Sequence, residues 1–278
     1  MSDIVVAPLR PKLLALAQVR AIARRDLRVQ LTYHLDLALQ LESVVFAVGV
    51  ALFMSRLIPP DRLLPYTGGY FDFALVGLMA TLLSGVGLTT FASSFADAQR
   101  EGTLETLLMG PVRSTTILVG TLVLPLTLAT IEVGASLGIG IAFGLHLEWA
   151  GLVVAIPVFG LLLTSFGAFG ILSAAVVVVT KRGNPFLSLM TQAVAVLGGA
   201  LVPVSTLPEW GRVVAHLIPS YYGLNALRAA LLPGGDWGDI LPNVGALAAM
   251  TALLLPFSVW CLSRALRVAR IAGTLGTY

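Results

Sequence analysis

The sequence predicts an all-α integral membrane protein with six transmembrane helices, and two observations carry that prediction. Of 278 residues, 57% are hydrophobic and only 11% charged, whereas a soluble globular domain carries about 25% charged residues. The apolar residues also gather into six long stretches, near 36–58, 71–95, 115–145, 151–179, 186–204 and 240–263. A bilayer crossing needs roughly 20 such residues, and one soluble core could not hide so many runs of that length. The mean hydropathy of +0.93 agrees.

The segment before the first stretch has a different character. Arg20, Arg24 and Arg28 recur every four positions, and Leu16, Val19, Ala23 and Leu27 form a second stripe. Both stripes keep the helical period, so residues 12–34 read as an amphipathic helix lying in the membrane interface. The plainer alternative is a solvated basic tail. The first 30 residues hold six basic residues and no long apolar core, so no cleavable leader is expected. The chain divides into an N-terminal segment at 1–34, a six-span domain at 35–263 and a tail at 264–278.

The third and fourth stretches exceed a simple crossing, so tilt or projection past the headgroups is expected. Pro125 inside the third is a candidate kink. Gly134, Gly138 and Gly140 in the third stretch, and Gly167 and Gly170 in the fourth, are spaced to let helices approach closely.

Orientation follows from Lys and Arg. With six spans, one side holds Arg10, Lys12, Arg20, Arg24, Arg25, Arg28, Arg100, Arg113, Lys181, Arg182, Arg264, Arg267 and Arg270. The other holds Arg56, Arg62, Arg212 and Arg228. A split of 13 against 4 puts both termini in the cytoplasm. The net charge of +3 and pI of 9.3 are thus topology signals. No basic patch interleaves with stacking aromatics, so nucleic acid is not an expected partner.

The longest external segment is 205–236. Its two short apolar pieces, around Trp210 and around Tyr221, Tyr222 and Arg228, suit re-entrant or interface-lying helices. Trp210, Tyr221, Tyr222 and Trp237 also fit an aromatic belt. Tyr66, Tyr70, Phe71 and Phe73 read either as belt residues or as the lining of a sugar path.

Chemistry within the chain has little support. A phosphate-cradling loop needs Gly-Lys-Ser/Thr after a glycine-rich turn, but Lys12 precedes Leu13 and Lys181 precedes Arg182. His34, His146 and His216 lie in three segments without ligand spacing, and Cys261 is the single cysteine. No catalytic, metal or cofactor site is expected. Glu132 sits mid-span, where a carboxylate is expensive. It is either a pathway or proton-linked group or a structural carboxylate, neutral or bonded to a neighbouring helix. Asp36, Glu42 and Asp72 lie nearer span ends, where water is expected to reach them.

The loop at 97–111 mixes Arg100, Glu101 and Glu105 with Leu104, Leu107 and Leu108 and ends on Gly110-Pro111. That is a short amphipathic helix with a small apolar face. It docks either on the protein's own cytoplasmic surface or in a groove on a partner.

The sequence resembles the type-2 ABC transporter permeases, membrane subunits of ATP-binding-cassette exporters. Four features carry the likeness across nearly the whole chain. They are Arg24-Arg25-Asp26-Leu27-Arg28 with Tyr33, and Glu101-Gly102-Thr103-Leu104-Glu105-Thr106-Leu107-Leu108 with Pro111. Lys181-Arg182-Gly183-Asn184-Pro185 is the third. The fourth runs from Pro203 through Leu207-Pro208-x-Trp210, Pro219-x-x-Tyr222 and Ala226-Leu227-Arg228. The resemblance implies a permease that is not itself an enzyme. Two separately encoded ATPase subunits would bind ATP and Mg, and a second permease subunit, identical or paralogous, would complete the pathway. The loop carrying Arg100, Glu101, Leu104, Glu105, Leu107 and Leu108 becomes the coupling helix, and the N-terminal helix also contacts the ATPase. The expected location is the inner (plasma) membrane, with polysaccharide, lipid, drug, peptide or ion all open as substrate. The competing reading is a polytopic membrane enzyme or passive scaffold.

Overall fold

The computed structural model describes residues 11–32, 34–57, 69–100, 114–180, 190–191, 194 and 197–271. The main elements among them are eight α-helices: α1 (Pro11–Thr32), α2 (His34–Leu57), α3 (Gly69–Arg100), α4 (Ser114–Ala142), α5 (Leu152–Thr180), α6 (Glu209–Ala215), α7 (Pro219–Leu231) and α8 (Trp237–Ile271). Five contain stretches long and apolar enough to cross a membrane: Ala38–Leu57, Gly69–Ser94, Gly120–Ala142, Trp149–Val178 and Trp237–Val268. They coincide with five of the six apolar stretches in the sequence. The remaining one, 186–204, lies largely outside the described residues.

A helix is what such sequences must form in hydrocarbon, because only there does each backbone N–H and C=O find a partner within the segment. Several hydroxyls inside the helices are satisfied in the same way, although those of Ser165 and Ser220 are buried without a partner. Ser136 donates to the Glu132 carbonyl, Thr251 to that of Leu247 and Ser258 to that of Leu255. Prolines interrupt α4 at Pro125, α5 at Pro157 and α8 at Pro242 and Pro256.

α3 is the hub of the bundle. Val44, Val48 and Ala51 of α2 meet Phe71, Ala74, Leu75 and Met79 on one side of it. Val76, Ala80 and Leu88 meet Ala155, Val158, Leu162 and Phe166 of α5 on another. Phe91 joins Ile171, Ala174 and Val178 of α5 and Leu262 and Ala265 of α8 toward the far end. The α3–α5 crossing is close because both helices carry glycine there. A Cβ on Gly170 would lie 2.5 Å from the Gly87 carbonyl oxygen, and one on Gly87 would lie 2.6 Å from that of Leu163.

The small residues singled out in the sequence divide accordingly. Gly140, Gly167 and Gly170 do meet other residues closely, but Gly134 and Gly138 face open space within the chain. Apolar stripes on α1 also shift: Ile22 packs on Gly120 of α4, while Leu27 is 46% exposed.

α7 lies antiparallel along the first half of α5. Gly223 packs against Leu162, Gly151 packs against Ala230, and the Glu148 N–H donates to the Leu231 carbonyl at 2.8 Å. The run from Gly151 to Leu162 corresponds to about 16 Å of helix, roughly half the hydrocarbon thickness. α7 is almost wholly enclosed, with Leu224, Ala226, Leu227 and Leu231 all buried.

Candidate functional site

Of the residues expected to carry coupling, Arg100 is the last residue of α3. Glu101, Leu104, Glu105, Leu107 and Leu108 lie outside the described residues. Arg20, Arg24 and Arg28 are all exposed on α1, and their four-residue spacing puts them on one face. Their neighbour Arg25 pairs with Asp26 at 2.8 Å. Glu132 is half-buried on α4. It shares a row with buried Ala129, Ser136 and Gly140, three before and four and eight after it, so it lies on the packed side of that helix.

The most elaborate polar arrangement among the described residues is elsewhere, around Arg228 of α7. Its place in the sequence puts this arginine among the external charges. In the fold it is only 3% exposed. Nη2 donates to the carbonyls of Gly199 at 2.8 Å, Ala200 at 2.9 Å and Phe73 of α3 at 3.2 Å. Its guanidinium carbon sits 3.3 Å from the centroid of the Phe73 ring. Two of the acceptors lie just beyond the end of a helix. The last helical bond there runs from the Gly198 N–H to the Val194 carbonyl, and Gly199 then takes φ +79, a conformation glycine adopts without penalty. The carbonyls beyond a helix end need donors from elsewhere, and Arg228 supplies them.

Phe73 therefore serves as the platform under a guanidinium, and neither it nor Phe71 lines a path or faces a belt: both are buried. Tyr70 is half-buried against the α2–α3 cluster, and Tyr66 lies outside the described residues. Trp210 and Trp237 are exposed, as belt residues would be. The expectation of water access also fails for Asp72, which is 1% exposed in the first turn of α3. Its Oδ2 lies 3.6 Å from Nδ1 of His146, whose ring is largely exposed. The His216 ring lies tilted by 45° against that of Tyr221, with centroids 4.4 Å apart. No group of three or more His, Cys, Asp or Glu able to hold a metal occurs among the described residues.

The one sequence signal for the arginine site was Arg228 itself, a charge inside an otherwise apolar segment. Nothing in the sequence pointed to Phe73 and residues 199–200 as its partners.

Comparison with known proteins matches this architecture. Residues 17–232, from α1 through α7, fit the family described as ABC-2 type transporter. Nodulation protein J of Neorhizobium galegae is 28% identical over 191 residues, covering 68% of this chain and 71% of the relative. That of Rhizobium leguminosarum bv. trifolii is 25% identical over 189 residues, covering 68% and 71%. That of Sinorhizobium fredii is 27% identical over 203 residues, covering 71% and 75%. With helices fit to cross a membrane several times, and a family match over most of its length, the chain belongs to the ABC-2 type transporter family as a membrane component.

Proposed function

We propose that this chain is the permease subunit of an ABC exporter, pairing with a second permease subunit and driven by two separate ATPase subunits. The observation that carries the reading is the family match over residues 17–232, which takes in α1, the loop after α3 and the buried helix α7 in one chain. The sequence offers no Gly-Lys-Ser/Thr loop for its own ATP, so ATP and Mg belong to the partner subunits. Six spans, with residues 186–204 as the fifth, put both termini in the cytoplasm of an inner membrane. On this topology α6 and α7 form a re-entrant segment entered from outside.

α1 lies along the cytoplasmic interface with Arg20, Arg24 and Arg28 toward headgroups or the ATPase. Arg100, Glu101, Leu104, Glu105, Leu107 and Leu108 form the coupling helix. ATP binding draws the ATPases together and biases the permease pair between two conformations. Glu132, on the packed side of α4, is a structural carboxylate.

Leu104 and Leu107, three residues apart, present the apolar face to the ATPase groove. Replacing both with Asp places unpaired charges in that groove, at a penalty of several kcal/mol. The expected result is a membrane-inserted protein that no longer retains its ATPase on affinity purification or stimulates ATP turnover in liposomes. Retention of partner and turnover by L104D/L107D would refute the coupling assignment.

A further inference from the structure

We propose that Arg228 is a positioning residue whose guanidinium, and not the apolar packing around it, fixes the seat of α7 against the 199–200 turn and α3. This role is separate from coupling and does not depend on any ATPase partner.

Apolar packing specifies that α7 is buried, but not where along its neighbours it stops. The buried face of α7 is made of Leu and Ala side chains laid along α5, with glycines at 223 and 151 where the helices come close. Such contacts hold a helix on a surface, but they are non-directional and tolerate repacking. Two contacts of α7 are directional: the bond from the Glu148 N–H to the Leu231 carbonyl at its C-terminal end, and the guanidinium, which faces the 199–200 turn and α3. The guanidinium joins three carbonyls from two separate segments while its flat face lies on Phe73. A planar cation can place one nitrogen, Nη2, among all three carbonyls while its face covers a ring, and an ammonium has no such face. The demand is also strict. At hydrocarbon depth, carbonyls beyond a helix break have no water to fall back on. Sliding α7 by one residue would move it about 1.5 Å, enough to lengthen or misalign these bonds.

The test uses the full-length chain with Cys261→Ser and a reporter thiol from Ser220→Cys. Ser220 is 4% exposed near the opposite end of α7, so the reactivity of a thiol there toward a membrane-permeant maleimide measures how often α7 leaves its seat. A second reporter, Ser136→Cys, sits fully buried on α4 and reads the rest of the bundle. With Arg228 in place both thiols react slowly. In R228M, the α7 reporter is expected to alkylate about tenfold faster, as loss of a hydrogen bond to a charged group implies, with the α4 reporter unchanged. R228K is expected to fall between, because it keeps the charge and loses the planar face over Phe73. Equal rates at the α7 reporter with Arg, Lys and Met overturn the proposal. So does equal acceleration at the α4 reporter, which would mean that Arg228 only supports the fold as a whole. If R228M does not yield monodisperse protein, R228K and F73L decide: F73L removes the stacking face alone. Faster alkylation of the α7 reporter in both supports the proposal, and an unchanged rate in either overturns it.

Discussion

The membrane-crossing parts of α3 and α4 are equally apolar by mean hydropathy, yet 72% of an apolar 18-residue stretch of α3 is buried inside the chain and only 11% of the corresponding stretch of α4. The difference is visible at some of their glycines, though Gly140 of α4 does meet Leu75 and Gly85 of α3 meets nothing within 4 Å. Gly87 of α3 meets the backbone of α5 within van der Waals contact, and Gly170 of α5 answers it. Gly134 and Gly138 of α4 meet nothing within 4 Å. Hydropathy reports that a helix belongs in lipid. Only the partner surface decides whether a glycine is a contact or merely the absence of a side chain.

The largest effect that would sharpen this contrast is at the α3–α5 crossing. Gly170→Leu drives a branched side chain into the Gly87 and Leu88 carbonyls, and neither backbone can withdraw. Loss of folded protein is expected, measured as the monodisperse peak after detergent extraction. The milder Gly170→Ala should destabilise by about 1–3 kcal/mol, the range of overpacking, seen as a lowered unfolding midpoint. Wild-type behaviour of the leucine variant would mean that the crossing is not as close as described.

The smallest effect is on α4. Gly134→Ala enters open space and gains helix propensity, so it should be neutral or stabilise by up to about 1 kcal/mol. A strong loss of assembly in that variant would break the comparison, because it would show that the open face of α4 is covered by something outside the chain.

The same contrast explains what the sequence could and could not reveal. Length and apolarity are local properties, so five of the six stretches coincide with helices able to cross a membrane. Contacts are not local. Gly134 and Gly170 look alike in sequence, and only the position of α3 separates them. Arg228 was legible as a charge in an apolar segment, but its acceptors include Phe73, 155 residues away, and a turn in which Gly199 takes a positive φ. Asp72 looked like a wetted span-end carboxylate, and the neighbouring segment carrying His146 closes over it. For the loop at 97–111 the amphipathic pattern stands alone: beyond Arg100 it lies outside the described residues.

The buried arginine also bears on the order in which the protein is made. On the re-entrant reading, α7 cannot enter the membrane as an independent span: it has 13 residues, and an arginine at hydrocarbon depth is unfavourable by about 2.5–3.5 kcal/mol on insertion scales. α3 and the 199–200 turn must already be in place before Arg228 can exchange water for carbonyls. Biogenesis thus has a late step in which a hydrated segment at the membrane surface folds down into a finished socket. In a ribosome-stalled chain carrying Ser220→Cys, the new thiol should be reactive once residue 220 has emerged and become protected only when residues past 236 have followed, and a thiol protected as soon as residue 220 clears the ribosome would rule this order out.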